Sequence, residues 1–304
     1  MTPVLEISNI SRSYRTNVSF QKYWILRDLS FSVEAGEIFG FIGPNGAGKT
    51  TTIKLVMDLI RPDGGSIRIF GRKHDEVQSK SRIGFLPENP YFYDYLTARE
   101  FLDFYGRLFG LARPAREARI RELLARVGLA NRADRQLRKF SKGMLQRIGL
   151  AQALINDPDL VILDEPMSGL DPVGRREVRD LILSLKEAGK TIFFSTHILS
   201  DTELICDRVG ILSKGDLKAV GKVSELLADR VDFWEVTFSG VSPGTLPGID
   251  AVISRDGDKT LVRARDEEAM KALAAAILRE GGSLQGIVPH RERLEDLFLR
   301  EIKG

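Results

Sequence analysis

One short segment constrains this chain more than any other: residues 43–50 read Gly-Pro-Asn-Gly-Ala-Gly-Lys-Thr. The segment follows an apolar run at residues 37–42 and precedes a stretch with helical spacing that begins at Lys49. A glycine-rich loop between a strand and a helix turns its backbone N–H groups inward, and together with the helix N-terminus these groups bind phosphate. The sequence therefore predicts a βα unit that binds a nucleotide.

The residue types in this loop indicate individual roles. Lys49 is predicted to reach the β and γ phosphates, and the hydroxyl of Thr50 is predicted to ligate Mg2+. The candidate nucleotide-binding residues are Gly43, Pro44, Asn45, Gly46, Ala47, Gly48, Lys49, Thr50 and Thr51.

A second apolar run, at residues 160–163, ends in two consecutive carboxylates, Asp164 and Glu165. An unpaired buried charge costs several kcal/mol unless another group compensates it. A metal ion and an attacking water would compensate both acids. We therefore expect Asp164 to hold Mg2+ and Glu165 to act as the general base.

Residues 140–147, Phe-Ser-Lys-Gly-Met-Leu-Gln-Arg, lie between the phosphate loop and the paired acids. They resemble the signature motif of ABC transporter ATP-binding subunits. The resemblance implies an α/β fold: a P-loop NTPase (RecA-like) core with an antiparallel β edge and a helical insertion. It also implies ATP and Mg2+ as cofactors, and it implies that Ser141 and Gly143 contact the γ-phosphate of ATP held by the opposite subunit. In physical terms the motif is a second helix N-terminus, with Ser141 as its cap.

Other site residues follow from the same resemblance. Asp171, in the segment Ser-Gly-Leu-Asp at residues 168–171, resembles the polar contact that couples the two sites of a dimer. His197 follows a predicted strand at residues 191–195 and resembles the histidine that hydrogen-bonds the γ-phosphate and positions the water. Tyr14 is the candidate for stacking on adenine, although a long segment separates it from Gly43 and leaves Tyr23 as a rival.

The chain departs from the family pattern at two places. Glu88 stands where the family most often has Gln, and we expect its carboxylate to ligate Mg2+ and to sense the γ-phosphate through the metal. Residues 142–144 read Lys-Gly-Met where the common signature reads Gly-Gly-Gln. Both departures resemble the subfamily that energises ABC-2-type exporters.

The 304 residues suggest about two domains. Residues 1–225 are predicted to form the ATPase domain, with a helical subdomain at about 91–156 in which Thr97 and Glu100 have the spacing of a capping box. Residues 231–304 are predicted to form a small α+β accessory or regulatory domain. Its expected role is support of a dimer or regulation, with a purely packing role as the alternative.

Charge and hydropathy limit the partners. The chain has 45 Lys and Arg against 42 Asp and Glu, spread along its length, so nucleic acid is not an expected partner. Apolar runs are far shorter than the roughly 18 residues of a membrane span, and the single Cys206 cannot form an internal disulfide. The resemblance implies a separate multi-span membrane permease that docks near residues 88–95, where Tyr91, Phe92, Tyr93 and Tyr95 cluster. The alternative is that these rings belong to the core.

The sequence thus predicts the ATP-hydrolysing subunit of an ABC transporter, cytoplasmic and peripheral on the cytoplasmic face of the cell membrane. Such a subunit works as a homodimer, or paired with a second ATPase subunit, and drives transport, here export by subfamily resemblance. The alternative is a non-transport ABC ATPase that acts on nucleic acid or ribosomes. The chain has one ATPase cassette and no long heptad pattern, so it fits that class poorly. A GTPase or a small-molecule kinase would leave the signature motif and His197 unexplained.

Overall fold

The computed structural model describes residues 3–15, 22–227, 231–291 and 293–303. They belong to two units. The first comprises the chain up to Val223 together with the last residues from Glu301, and the second comprises Ser224–Arg300.

Ten strands and eight helices span the chain from Leu5 to Leu226 in the described residues. The strands are β1 (Leu5–Arg15), β2 (Lys22–Val33), β3 (Ile38–Ile42), β4 (Gly64–Ile69), β5 (Arg72–Lys73), β6 (Ile83–Leu86), β7 (Leu160–Asp164), β8 (Thr191–Thr196), β9 (Arg208–Ser213) and β10 (Asp216–Lys222). The helices are α1 (Lys49–Val56), α2 (Val77–Lys80), α3 (Ala98–Leu108), α4 (Arg113–Arg126), α5 (Lys142–Ala153), α6 (Pro172–Glu187), α7 (Leu199–Ile205) and α8 (Val223–Leu226).

A six-stranded sheet with the order β10-β9-β3-β8-β7-β6 forms the centre of the first unit. The strands from β9 to β6 are parallel, and β10 pairs with β9 in the antiparallel sense. Every residue of β3, β7 and β8 is buried, because core clusters cover both faces of the sheet. The loops after these three adjacent strands leave from the same edge, and this brings the phosphate loop, Glu165 and His197 together.

A second sheet of the first unit, β2-β1-β4-β5, is antiparallel and confirms the predicted antiparallel edge. The first forty residues alternate short apolar segments with turn residues, a pattern that predicts short strands. This prediction is wrong, because β1 and β2 are 11 and 12 residues long. Asn9 and Asp28 look like turn residues in the sequence. Both adopt positive φ (50° and 45°) beside irregularities of the β1–β2 pairing, where they bend the strands without ending them.

The helical insertion consists of α3, α4 and α5, which pack against one another around buried Phe101, Leu123 and Ile148. The predicted capping box is confirmed at the start of α3. The Thr97 hydroxyl accepts the Glu100 N–H at 3.2 Å, and the Glu100 carboxylate accepts the Thr97 N–H at 2.8 Å. A helix that ties its own first turn in this way can begin directly after an extended loop.

The second unit contains an antiparallel sheet with the order β12-β13-β11-β14. Its elements are β11 (Val231–Ser239), β12 (Ala251–Asp256), β13 (Lys259–Ala264), α9 (Glu267–Arg279) and β14 (Ser283–Arg291). The last helix, α10 (Leu294–Lys303), belongs to this unit up to Arg300. Asp266 caps α9 by accepting the Ala269 N–H at 2.8 Å, and the apolar face of α9 covers one side of the sheet. This is the α+β arrangement that the alternating and helical patterns predict.

Candidate nucleotide-binding site

The glycine-rich loop joins β3 to α1 in a conformation that other residues cannot adopt. Gly48, the N-cap of α1, has φ +115°, and a Cβ atom there would lie 2.7 Å from Cδ2 of Leu26. A Cβ atom at Gly43 would lie 2.4 Å from the carbonyl oxygen of Leu212. The loop is therefore closed against β2 and β9 in a way that glycine alone permits.

Lys49 is buried and its ammonium group lies within this loop. Nζ donates to the carbonyl oxygens of Gly43 and Pro44 at 2.6 and 3.3 Å, and it lies 3.2 Å from Oε1 of Glu165. Lys49 and Glu165 are 5% and 6% exposed, so this ion pair is largely withdrawn from water. The structure therefore brings the predicted phosphate-binding lysine and the predicted base into contact.

Glu165 also contacts His197, since its Oε2 lies 2.9 Å from Nδ1 of the imidazole. The main chain of Glu165 has φ +50°, a conformation that a non-glycine residue rarely adopts. Such strain persists where the surrounding structure holds it, and it concentrates at functional sites. A carboxylate fixed between a lysine and a histidine, at the mouth of a phosphate loop, can accept a proton from a water molecule.

Asp164 is buried at the end of β7, and two hydroxyl groups contact its Oδ1. Ser195 Oγ donates at 2.6 Å and Thr50 Oγ1 at 3.2 Å. Burial raises the pKa of the Asp164 carboxyl, and these two hydrogen bonds oppose that rise. A cation bound to Asp164 would likewise offset the free-energy cost of burying the charged carboxylate.

The donor set around Asp164 fits Mg2+ held together with a nucleotide. Among the described residues, no group of three or more His, Cys, Asp or Glu side chains could form an all-protein metal cage. Mg2+ usually takes one or two protein oxygens and completes its shell with phosphate and water. The Thr50 hydroxyl and the Asp164 carboxylate supply two such oxygens side by side.

A cavity of about 310 Å³ opens over the phosphate loop. The described residues that line it are Ile25, Asn45, Gly46, Gly48, Lys49, Thr50, Thr51, Glu88 and Glu165. All belong to the first unit, and the predicted metal ligand Glu88 is among them. Ala47 is buried instead, and its carbonyl accepts the Gly215 N–H at 3.0 Å.

Sequence reasoning missed two residues of the site. Ile25 lines the cavity, and Ser195 binds both acids, as its Oγ also accepts the Glu165 N–H at 2.9 Å. The sequence signal for Ile25 is weak: it is an apolar residue two positions from the candidate Tyr23, at an irregularity of the β1–β2 pairing. A hydroxyl in the apolar run of β8 could have indicated Ser195.

The two candidate adenine-stacking residues are neighbours. Tyr14 of β1 lies directly opposite Tyr23 of β2, and their side chains are 43% and 62% exposed. Residues opposite each other in an antiparallel pair share a face of the sheet. The two rings therefore lie on one face of the sheet, two residues along β2 from the cavity residue Ile25.

The signature residues and Asp171 each begin a helix. Ser141 caps α5 by accepting the Met144 N–H at 3.3 Å, and Gly143 lies in the first turn. Asp171 caps α6 by accepting the Gly174 N–H at 2.8 Å. In the described part of the chain, Ser141, Gly143 and Asp171 are not among the residues that line the cavity around Lys49.

The aromatic cluster after Glu88 divides into a buried and an exposed part. Phe92 packs against the core, with its ring centroid 5.5 Å from that of Phe101. Tyr91, Tyr93 and Tyr95 are 83%, 36% and 62% exposed. The core interpretation therefore holds for Phe92, and the three tyrosines form a surface.

Comparison with known proteins gives the following similarities. Residues 26–168 match the model of the family described as ABC transporter. The chain is 46% identical to an uncharacterized ABC transporter ATP-binding protein of Synechocystis sp., over 99% of this chain and 85% of that protein. It is 35% identical to a Nod factor export ATP-binding protein I of Burkholderia lata, over 91% of each chain.

A solved structure with a similar fold is that of the ATP-binding subunit of an ABC transporter. The TM-score is 0.64 and the identity 34%, over 73% of this chain and 91% of that one. In the described residues of the present structure, no helix has both the length and the apolar character needed to span a membrane.

Proposed function

Because this chain belongs to the family of ABC transporter ATP-binding proteins, we propose that its ATPase activity drives export through a separate membrane subunit. One observation carries the catalytic part of this proposal: the Glu165 carboxylate contacts both Lys49 and His197 beside the phosphate loop. The 35% identical Nod factor export protein supports the direction of transport.

In the proposed ATP complex, the triphosphate lies over the N-terminus of α1, where the loop N–H groups and Lys49 bind it. Lys49 must leave Glu165 and the loop carbonyls to do so, since its Nζ contacts all three groups in this structure. Thr50, Asp164 and Glu88 would hold Mg2+, which supplies charge neutralisation at the phosphates when bound. Glu165, released from Lys49, then accepts the proton of the attacking water.

His197 would keep the Glu165 carboxylate aimed at the water. Its Nδ1 contacts Oε2 of Glu165, and its side chain, 42% exposed, is accessible to a ligand. A histidine can hydrogen-bond a carboxylate through one ring nitrogen and a phosphate oxygen through the other. This arrangement would place the proposed base and the proposed phosphate-sensing histidine in direct contact.

We propose that two ATPase subunits complete each site. Ser141 and Gly143 stand at the N-terminus of α5, an arrangement suited to an anion, but they do not line the cavity of their own chain within the described residues. A second copy, or a second ATPase subunit, would present them to the γ-phosphate. Asp171 would then lie near the interface between the two subunits, where its loop could couple the two ATP sites.

The adenine ring is proposed to stack on the tyrosine pair of the β1–β2 hairpin. Tyr14 and Tyr23 are opposite each other, and Ile25, two residues along β2 from Tyr23, lines the cavity. Two exposed rings close in the sheet to an apolar residue of the cavity suit a flat aromatic base.

A multi-span membrane subunit is proposed to dock on the surface formed by Tyr91, Tyr93 and Tyr95. These exposed rings begin three residues after Glu88, which lines the ATP cavity. Tyr93 and Tyr95 also line a cavity of about 360 Å³ with Phe104. A protein that docks there would place this chain on the cytoplasmic face of the membrane and would sense the state of the nucleotide.

The experiment that tests this function is purification of the chain from its native cells in mild detergent, followed by ATPase assays. The proposal predicts that a multi-span membrane protein co-purifies and that it changes the ATPase rate. A Tyr91→Ser/Tyr95→Ser variant should lose the membrane protein and retain basal hydrolysis. Stimulation by ribosomes or nucleic acid, without a membrane partner, would instead assign the chain to the non-transport ABC ATPases.

A further inference from the structure

Ser195 is a fully buried hydroxyl residue in the central strand β8. The three residues before it, Ile192, Phe193 and Phe194, are all 0% exposed and apolar. A hydroxyl group in such surroundings is costly unless it forms hydrogen bonds. Its contacts therefore indicate why a hydroxyl occupies this position.

Ser195 contacts both consecutive acids of the site. Oγ donates to Oδ1 of Asp164 at 2.6 Å and accepts the N–H of Glu165 at 2.9 Å. The carbonyl oxygen of Ser195 also accepts this N–H, at 3.2 Å. One residue thus orients the side chain of Asp164 and the main chain of Glu165.

The main chain of Glu165 needs such support. Asp164 is the last residue of β7 and pairs with Ser195 in the parallel register. Directly after it, the chain turns through φ +50° at Glu165. This turn sets the direction in which the Glu165 side chain leaves the backbone. From its buried position the carboxylate then contacts Lys49 and His197.

We propose that Ser195 is a positioning residue for ATP hydrolysis, which holds the Asp164 carboxylate toward the metal position and holds the Glu165 turn that aims the base. This inference rests on the proposed roles of Asp164 and Glu165. It extends them to a fully buried residue on the neighbouring strand.

The test compares three variants. Ser195→Ala removes both side-chain hydrogen bonds, whereas Ser195→Thr retains the hydroxyl. Thr191→Val is the matched control, because Thr191 is a buried hydroxyl on the same strand and its Oγ1 accepts the Gly36 N–H at 2.9 Å. The control therefore loses a comparable buried hydrogen bond at the end of β8 away from the acids.

The readouts are kcat, KM, the thermal unfolding midpoint, and the affinity for a fluorescent ATP analogue with and without Mg2+. For Ser195→Ala we expect kcat to fall about 10- to 100-fold, as displaced catalytic groups cause. Its affinity for the analogue without Mg2+ should remain within about twofold of wild type, and the gain in affinity on adding Mg2+ should shrink. Ser195→Thr should recover most of kcat, and Thr191→Val should keep it.

The inference fails if Ser195→Ala hydrolyses ATP within twofold of wild type, or if Thr191→Val loses as much kcat as Ser195→Ala. If Ser195→Ala cannot be purified, Ser195→Cys takes its place, because it keeps the volume but weakens both hydrogen bonds, and the same outcomes apply. Failure of the proposed function would appear differently, as absence of Mg2+-dependent hydrolysis in the wild-type chain itself.

Discussion

Nδ1 of His197 lies 2.9 Å from Oε2 of Glu165, although 32 residues separate them in the chain. The contact arises from sheet order: Glu165 follows β7, His197 follows β8, and these strands are adjacent and parallel. The phosphate loop follows β3, on the other side of β8. A parallel sheet therefore brings Glu165, the proposed base, together with His197 and the phosphate loop at one edge, and each is placed by the strand that precedes it.

The approach of β6 to α5 provides a test of the packing that positions the signature helix. A Cβ atom at Gly84 would lie 2.0 Å from the carbonyl oxygen of Ala153. We expect Gly84→Ala to lower the free energy of unfolding by about 1–3 kcal/mol, because backbone must shift. Urea unfolding of the variant and of the wild type measures this difference in the free energy of unfolding. Gly64→Ala, which meets no atom within 4 Å, is the control, and equal stability losses for the two variants would contradict the packing described here.

The carboxylate at Glu88 gives a prediction on Mg2+. Glu88 lines the cavity over the phosphate loop, and we expect Glu88→Gln to raise the Mg2+ concentration for half-maximal ATPase activity several-fold, because a carboxylate binds this cation more strongly than an amide does. Titration of the rate with Mg2+ at fixed ATP measures the effect. Asp94→Asn, on the same loop, should change nothing, and an unchanged profile for Glu88→Gln would remove Glu88 from the metal site.

The tyrosine pair gives a prediction on nucleotide affinity. Since stacking of a base on an aromatic ring contributes about 1–3 kcal/mol, Tyr14→Ala and Tyr23→Ala should each weaken ATP binding, by about tenfold for the ring that makes the larger contact. The corresponding Phe variants should bind normally. Equilibrium binding of ATP measures this, with Tyr91→Ala as a control at a distant exposed ring. Wild-type affinity in the Tyr14→Ala/Tyr23→Ala double variant would exclude the pair as the adenine platform.

Two hydrogen bonds from Ser13 of β1 to the Asp63 carboxylate predict a pH dependence of stability. Asp63 accepts hydrogen bonds from the Ser13 hydroxyl and N–H at 2.5 and 2.8 Å, and the hydroxyl is the main cause of its pKa falling below the usual 3.8. Because the folded pKa is the lower one, the stabilisation is complete above about pH 4 and is lost as pH falls through the folded pKa.

We expect Asp63→Asn to lower the free energy of unfolding at pH 7 by about 1 kcal/mol, and we expect this difference from wild type to shrink below about pH 4. Urea unfolding at several pH values measures both effects. Asp75→Asn, at an exposed carboxylate, is the control. A difference that stayed constant with pH would show that the charge of Asp63 contributes nothing.

Much of the fold could be predicted from the sequence, because local patterns specify it. The run at residues 160–163 is apolar throughout, as a strand covered on both faces must be, and Thr97 with Glu100 specifies a helix start by hydrogen bonds within one turn. The length of β1 and β2 could not be predicted in this way. Asn9 and Asp28 are residue types that are common in turns. In the structure each lies at an irregularity within a continuous strand, and this depends on hydrogen bonding with the other strand.

The candidate site also contains residues that local motifs predict and residues whose place depends on strand pairing. Sequence motifs could select the residues that stand at the start of α1 or at a strand end, namely Lys49, Thr50, Asp164, Glu165 and His197. A hydroxyl within an apolar run singles out Ser195 as unusual, but its contacts with both acids depend on the register that sets it beside Asp164, and register is a property of two strands. Ile25 lines the cavity for a comparable reason, since the fold of the β1–β2 hairpin brings it over the loop.

The most direct test of the central claim is the behaviour of Glu165→Gln, measured as ATP turnover together with mass by size-exclusion chromatography and light scattering. The variant keeps the shape of the side chain but cannot accept a proton from water, so hydrolysis should fall at least about 100-fold. It should still bind ATP, and it should form a stable dimer when ATP and Mg2+ are present. Hydrolysis at the wild-type rate would contradict the assignment of Glu165 as the base, and a variant that binds ATP but remains monomeric would contradict the shared site.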